Sequence, residues 1–477
     1  MSKSAALAGL FLKAEEIRTH ADRLSLVPFP SERPKDFALF LSNVCRKLQS
    51  LIKQGHFDNV DERVITITTI FLVDEVAPML RYVEGASSEN TPANLVLPME
   101  KIGERIIKGA TFIIRRQWHY NYAAVELRST LEPRLTSLPA KNEWQDVLRK
   151  LRTQVYAISF PYLERDNTAL HVSLAHEIGH QVAPSYLSKE DETEVLDELH
   201  GEIQKMVTTV TTPDRVQRAE EIGRSLTRAY QLRQAALTEL LSDTISAHVF
   251  GPSVLFALYE IASLSESIDK ISFDMHPPWR LRIDHMLDTL DDLGFVNKQS
   301  FSLSCWPETA SPALREVKSE IDRWLGRLEP IVSDWRDRVE VNKEPSSSSA
   351  YISAYRKLAD LRKFAAGYFL YPPYSQDMFR KEVPMLLERL QMDLPPNQIE
   401  QHLTQTRDVS LASILASVWL YKLTSLPSLF ERDPEGYAKR VHTLNRLTLK
   451  AIELSEVKRE YQEWQRKRGA ETRGPTE

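Results

Sequence analysis

Residues 176–180 read His-Glu-Ile-Gly-His, and the apolar residues around this string recur at a helical spacing. These apolar residues are Leu170, Leu174, Ile178 and Val182. We therefore expect a helix here, with N-cap side chains at residues 166–168 and an end at Pro184. Two histidines four residues apart on a helix lie on one face, so both imidazoles can reach a single metal ion.

The residue types in this string match the ligands and the base of a zinc site. His176 and His180 are candidate zinc ligands, and a catalytic zinc site has three protein ligands and one open position. Glu177 is the candidate general base that takes a proton from the attacking water. Gly179 costs about 1 kcal/mol in a helix interior relative to Ala, which predicts close packing at that point. Read by itself, the string also fits an exposed helix with two incidental histidines.

Two carboxylates in a second predicted helix, residues 231–250, supply a candidate third ligand. Glu239 and Asp243 are four residues apart and share one helical face. This helix is rich in apolar residues, and a carboxylate on a buried face needs an ionic partner or a metal. We predict that Glu239 is the third zinc ligand and that Asp243 accepts the free N–H of a ligating histidine. The alternative is a surface pair of carboxylates.

A third string, residues 276–283, reads His-Pro-Pro-Trp-Arg-Leu-Arg-Ile. The two prolines suit the first turn of a helix that continues beyond the string. His276 is the candidate group for stabilising the oxyanion of the transition state. Arg282 is predicted to orient Asp243, Glu239 or the substrate. The alternative is a helix-capping turn with a solvated His276 and an arginine that pairs elsewhere.

The order of these strings resembles that of the gluzincin metallopeptidases of the HtpX and CaaX-prenyl-protease group. The shared strings are His-Glu-x-x-His, Glu-x-x-x-Asp and His-Pro-x-x-x-x-Arg-Ile, and the resemblance covers roughly residues 155–295. It implies a zincin-like core, one Zn²⁺ per chain and hydrolysis of peptide bonds. It also implies the same roles for His176, His180, Glu239 and Glu177 as the residues themselves suggest. The Gly-x-Met-Glu-Asn signature of aminopeptidase gluzincins is absent.

No membrane span is expected, although many members of that group have transmembrane helices. No run of about 18 apolar residues occurs, and the nearest, residues 410–426, is interrupted by Ser, Lys and Thr. The N-terminus lacks a convincing signal-peptide core and cleavage site. The two cysteines, Cys45 and Cys305, suggest a reducing compartment, so we expect a cytoplasmic protein. A net charge of −5 with mixed signs gives no reason to expect nucleic-acid binding.

Length and composition predict a mainly α fold with two or three domains. The chain has 477 residues, few of them Gly, and many good helix formers. The predicted outline is a helical region at 1–150, a zincin-like core with a small β element at 151–300, a connecting helix at 301–343, a helical region at 351–467 and a disordered tail at 468–477. Between the last two helical regions, Glu-Pro-Ser-Ser-Ser-Ser-Ala at 344–350 is typical of a flexible linker.

Local patterns add expectations for the first 170 residues. Helices are predicted at 4–24, 34–53, 62–83 and 98–122. Val155–Pro161 reads as a strand, either an edge strand that pairs with a peptide or an ordinary buried one. A basic and aromatic cluster either binds an acidic or nucleic-acid ligand or covers buried rings with basic side chains; it comprises Lys108, Arg115, Arg116, Trp118, Tyr120 and Tyr122. His171 lies off the ligand face and is expected at the surface or behind a ligand.

Two functions of different classes remain open. The first is a zinc metalloendopeptidase that cleaves a protein or peptide substrate and is regulated by a protein partner through its flanking helical regions. The second is a helical binding, scaffold or sensor protein with a structural or vestigial zinc site. A fourth protein ligand on the metal, such as His171 or His276, would favour the structural site.

Overall fold

The computed structural model is mainly helical and confirms the predicted mainly α fold class. It describes residues 3–151, 154–207, 215–264, 276–308, 310–333, 344–369, 374–402 and 405–472. The chain divides into two compact units, Met1–Asp166 and Asn167–Glu477. Within the described ranges, no helix is both long and apolar enough to cross a lipid bilayer.

The first unit consists of helices and one small sheet. Its elements in chain order are α1 (Lys3–Leu24), α2 (Arg33–Lys53), α3 (Glu62–Phe71), a π-helical turn (Leu72–Val76), α4 (Ala77–Gly85), α5 (Ala93–Ile106), β1 (Thr111–Gln117), β2 (Ala123–Glu126), α6 (Leu127–Thr136), α7 (Lys141–Leu148), β3 (Val155–Pro161) and a 3-10 turn (Tyr162–Glu164). The predicted helices at 4–24, 34–53 and 62–83 are confirmed. Helix α1 packs on α2 through a buried stripe spaced three to four residues apart, which includes Leu10, Ala14, Ile17 and Ala21.

Strand β3 is the central strand of the sheet, whose order is β1-β3-β2. β1 runs parallel to β3 with Thr111 opposite Val155, and β2 runs antiparallel with Ala123 opposite Ser159. Every residue of β3 is buried. The predicted strand is therefore confirmed as an ordinary buried strand, since both of its edges are already paired.

The helix predicted at residues 98–122 is wrong beyond Ile106, where α5 ends. Gly109 has a φ of +81°, a left-handed conformation that does not continue a helix. The following residues, 111–114, are Thr-Phe-Ile-Ile, and β-branched and aromatic side chains favour a strand. Pairing of β1 with β3 outweighed the helical pattern that we inferred from the sequence.

The second unit is also mainly helical. Its elements are a 3-10 turn (Thr168–Val172), α8 (Ser173–Gly179), α9 (Ala183–Leu187), α10 (Glu192–Val207), α11 (Arg215–Phe250), α12 (Ser253–Leu264), α13 (Trp279–Asp292), β4 (Val296–Asn297), β5 (Ser302–Leu303), α14 (Pro312–Gly326), α15 (Glu329–Val332), α16 (Pro345–Arg356), α17 (Leu358–Tyr368), α18 (Gln376–Gln391), β6 (Gln398–His402), β7 (Gln405–Asp408), α19 (Leu411–Arg432) and α20 (Pro434–Thr472). β4 pairs with β5, and β6 pairs with β7.

Helix α11 is the central element of the second unit and contacts α8, α10, α13, α16 and α17. Its fully buried Arg233 donates two hydrogen bonds to Glu190, at 2.8 and 2.7 Å, and one to Ser353 on α16, at 2.9 Å. A buried guanidinium with a bidentate carboxylate partner has its charge and its donors satisfied. These hydrogen bonds join α11 to the segment between α9 and α10 and to α16.

The helix predicted around His176 is divided in the structure. A 3-10 turn covers Thr168–Val172 and α8 covers Ser173–Gly179, and the predicted end at Pro184 is wrong because this proline lies in the first turn of α9. His180 still has helical angles, φ −54° and ψ −31°, and its N–H donates to the His176 carbonyl at 3.2 Å. The two histidines therefore keep their spacing of one helical turn.

The linker predicted at residues 344–350 is wrong, because α16 begins at Pro345. The hydroxyls of Ser346 and Ser347 donate to the Glu344 carboxylate at 2.9 and 2.8 Å. All four serines of the run are buried, and α16 packs against α11. Small side chains allow two helices to approach closely, so a composition typical of a linker serves here as a packing surface.

Other parts of the domain outline differ from the structure in detail. Strand β3 lies in the first unit with its partners β1 and β2, whereas the outline grouped residues 151–300. The connecting region contains α14 and α15, and residues 334–343 lie outside the described part. The disordered tail is wrong as far as Thr472, where α20 ends. Residues 473–477 lie outside the described part.

Candidate metal centre

Three potential metal ligands meet in the second unit. One donor atom each from His176, His180 and Glu239 lies within 4.8 Å of the other two. Nε2 of His176 is 3.3 Å from Oε2 of Glu239, and Nε2 of His180 is 3.5 Å from Oε1. The two imidazole rings are 4.7 Å apart and nearly perpendicular. The structure thus brings together the two histidines of His-Glu-Ile-Gly-His and the carboxylate predicted as the third ligand, and this group could hold a metal ion.

Gly179 allows the helix with the histidines to approach α11. A Cβ at this position would lie 2.7 Å from Cα and 3.0 Å from Cβ of Ser242, closer than carbon atoms can pack. Ser242 is fully buried and lies between Glu239 and Asp243 on α11. The close packing expected at Gly179 is confirmed. The sequence analysis did not single out Ser242. Its position as a small residue between two carboxylates of an apolar helix could have identified it.

Replacing Gly179 by Ala is expected to destabilise the fold by about 1–3 kcal/mol, because the new methyl group forces α8 away from α11. The matched control is Gly223→Ala on α11, where a Cβ would meet no atom within 4 Å. That variant should gain up to about 1 kcal/mol, since Ala is the better helix former. Urea denaturation followed by circular dichroism measures both changes. Equal stability of the two variants would contradict the role assigned to Gly179.

Arg282 on α13 joins both carboxylates of α11. Its Nε and Nη2 donate to Oδ2 and Oδ1 of Asp243 at 2.9 and 2.7 Å, and its Nη1 lies 3.1 Å from Oε2 of Glu239. All three side chains are buried. A bidentate arginine of this kind fixes the orientation of a carboxylate as well as its charge. Arg282 therefore positions the proposed ligand Glu239 and its neighbour Asp243.

Asp243 also lies behind His176. Its Oδ1 is 2.8 Å from Nδ1 of His176, although the ring N–H is not well aligned with the oxygen. A carboxylate at Nδ1 holds a ring proton there, so Nε2, which faces Glu239 and His180, is the ring nitrogen that would give up its proton on binding a metal ion. The contact matches the arrangement predicted for Asp243.

The charges of the cluster set the pKa values of its members. Burial opposes the charged form of His176, but Asp243 and Glu239 outweigh it and raise its pKa to about 10. Burial and the neighbouring His176 lower the pKa of His180 to about 4. Burial also opposes ionisation of Glu239, yet Arg282 and His176 hold its pKa well below the usual range. The same two cations lower the pKa of Asp243 to about 2 against the effect of burial.

Glu177 is partly buried beside the cluster. Burial raises the pKa of its carboxyl group to about 7, although the charge of His176 acts in the opposite direction. A carboxyl group with a pKa near neutral can both accept and return a proton at that pH. This property suits the role of general base predicted for Glu177.

The two remaining histidines of interest are not among the three donors. His276 is exposed, and its backbone carbonyl accepts a hydrogen bond from the Tyr351 hydroxyl at 3.3 Å. Its proposed role at the oxyanion stays a prediction. His171 is fully buried in the 3-10 turn, so a surface position for it is wrong. Among the described residues, neither histidine belongs to the group that could hold a metal ion.

Comparison with known proteins identifies no relative of this chain. No family model, no curated protein and no solved structure matches the chain. The function is therefore inferred from the cluster itself.

Proposed function

We propose that this chain is a zinc-dependent metallopeptidase of the gluzincin type, with His176, His180 and Glu239 as ligands in a zincin-like core. The observation that carries this proposal is the convergence of these three donors within 4.8 Å. Two imidazoles and one carboxylate are a donor set typical of catalytic zinc. Among the described residues the group consists of these three donors, which is the number that a catalytic zinc site takes from the protein.

The residues around the ligands have distinct roles in the proposed hydrolysis. Zinc, when bound, lowers the pKa of the attacking water and polarises the scissile carbonyl. Glu177 takes the proton from the water and passes it to the leaving amine. His276 donates to the developing oxyanion. Arg282 keeps Glu239 anionic, and Asp243 orients His176, through the contacts described above.

The proposed substrate is a protein or peptide. The remainder of the second unit and the whole first unit offer helical surfaces for a regulatory protein partner. This part of the proposal explains why the candidate site occupies only a small share of the 477 residues.

Zinc content per chain, measured by elemental analysis after purification without chelators, tests the ligand set. Wild type is expected to hold about one zinc, and Glu239→Ala to lose it, since two imidazoles alone make a weak site. Glu220→Ala is the matched control, because Glu220 is an exposed carboxylate on the same helix. Absence of zinc from the wild type, or its full retention in Glu239→Ala, would overturn the assignment.

A further inference from the structure

The first unit contains a cleft of about 600 Å³ between α4, β1 and the turn after β3. Gly85, the last residue of α4, makes this arrangement possible, since a Cβ there would lie 2.8 Å from the Arg116 carbonyl oxygen. The close approach places Arg81 and Tyr82 of α4 beside Arg115 and Arg116 of β1. We call this site the arginine cleft; its lining includes Arg81, Arg115, Arg116, Tyr82, Trp118 and Tyr162.

Among the described residues, the three arginines of the cleft have no acidic partner. No carboxylate of the described ranges lies within 4.0 Å of Arg81, Arg115 or Arg116, whereas Arg33, Arg233 and Arg282 each pair with one. Glu84 is the acidic residue of the lining, and it pairs with His20 at 2.9 Å. The cleft therefore carries an excess of positive charge. Such a site attracts an anion.

Two of the guanidinium groups are held against aromatic rings. Arg115 lies 4.4 Å from the ring centre of Tyr82, and Arg116 lies 4.6 Å from that of Tyr162. Nε of Arg115 is shielded from solvent, and its Nη1 donates a hydrogen bond to the Arg116 carbonyl oxygen at 3.4 Å. Stacking on a ring fixes a guanidinium while leaving its N–H groups free to donate. The guanidinium of Arg116 and the remaining N–H groups of Arg115 are thus held in place to donate to the oxygen atoms of a ligand.

The cleft also has an exposed aromatic side chain at its edge. Trp118 is 80% exposed, and its ring centre lies 4.8 Å from that of Tyr162. A large apolar ring in water gains when a flat group stacks on it, and every nucleobase offers such a face. The alternative expected from the sequence, basic side chains over buried rings, does not account for an exposed Trp118.

We propose that the arginine cleft binds a nucleoside phosphate. The arginines hold the phosphate, and Trp118 with Tyr162 stacks on the base. The volume of the cleft lies within the range of small-molecule sites, about 300–1,000 Å³. This function is separate from the proposed peptidase activity and uses none of its residues.

Isothermal titration calorimetry on the full chain tests the proposal with AMP, GMP, CMP and UMP as probes. At least one nucleotide is expected to bind, and Arg116→Met to weaken it by about 10- to 100-fold, the effect of losing charged hydrogen bonds. Trp118→Ala should weaken binding by about 5-fold or more through lost stacking, and at an exposed position it should leave the melting temperature unchanged. Arg63→Met, an exposed arginine of α3 outside the cleft, is the control and should bind as wild type does.

Three further probes separate the parts of the ligand. Inorganic phosphate and adenosine should each bind more weakly than the best nucleotide, because each makes only half of the contacts. Equal binding by either would overturn the assignment, as would the failure of all four nucleotides to bind. A short single-stranded oligonucleotide that bound far more tightly than any nucleotide would overturn the small-molecule ligand in favour of a nucleic acid.

Discussion

Glu177→Gln is expected to lower peptide hydrolysis by about 10²- to 10⁴-fold while zinc content stays that of wild type. The amide has nearly the shape of the carboxylate but cannot accept a proton from water. Glu177 is not one of the three convergent donors, so the metal site should persist. Cleavage of a complex peptide pool, with new termini counted by mass spectrometry, measures activity on many peptide sequences at once.

The same assay needs a control for the loss of any one charge. Glu220→Gln changes an exposed carboxylate on α11 and should cleave the pool as wild type does. Full activity of Glu177→Gln would remove Glu177 from the mechanism. Loss of zinc together with activity would mean that Glu177 supports the metal site instead of acting as the base.

Arg282→Met is expected to destabilise the metal-free protein by about 3–5 kcal/mol, the largest stability effect that we predict. The substitution leaves Asp243 and Glu239 buried without the guanidinium that contacts both. Two buried carboxylates that share only the charge of His176 repel each other, and burial has removed their hydration. Thermal denaturation in the presence of a chelator measures the change. The control is Arg315→Met at an exposed position of α14, where we expect a change within about 0.5 kcal/mol.

Zinc should recover part of the stability lost in Arg282→Met. A bound cation supplies positive charge next to Glu239, so the variant should gain more from added zinc than wild type gains. A variant that is as stable as wild type without metal would show that the carboxylates do not depend on Arg282. If zinc stabilised both proteins equally, Arg282 would have no effect on the proposed metal site.

The candidate site could be predicted from the sequence because its residues occur in pairs four positions apart in predicted helices. Histidines four residues apart share a helical face wherever that helix lies. The pair Glu239 and Asp243 stood out because carboxylates are costly in an apolar helix. For Arg282 the sequence left several partners open: Asp243, Glu239 or the substrate. The choice depends on how α13 packs against α11, which local spacing does not reveal.

The errors in the fold also have tertiary causes. β1 was predicted as helix because local spacing does not reveal the hydrogen bonds that a neighbouring strand will supply. The linker was predicted at 344–350 because composition does not show that two of its serines donate hydrogen bonds to Glu344 or that α16 packs against α11. In both cases long-range contacts outweighed the preference of the local sequence.

The length of α11 has a mechanical consequence. At 36 residues it is a single rod about 54 Å long, with Glu239 toward one end and the clamp at Arg233 less than two turns away. Because α11 contacts α10 and α16 as well as α8 and α13, a displacement of α10 or α16 would be transmitted along α11 and would change the distance of Glu239 from the histidines of α8. A contact made far from the proposed metal site would then change the distances between its three ligands.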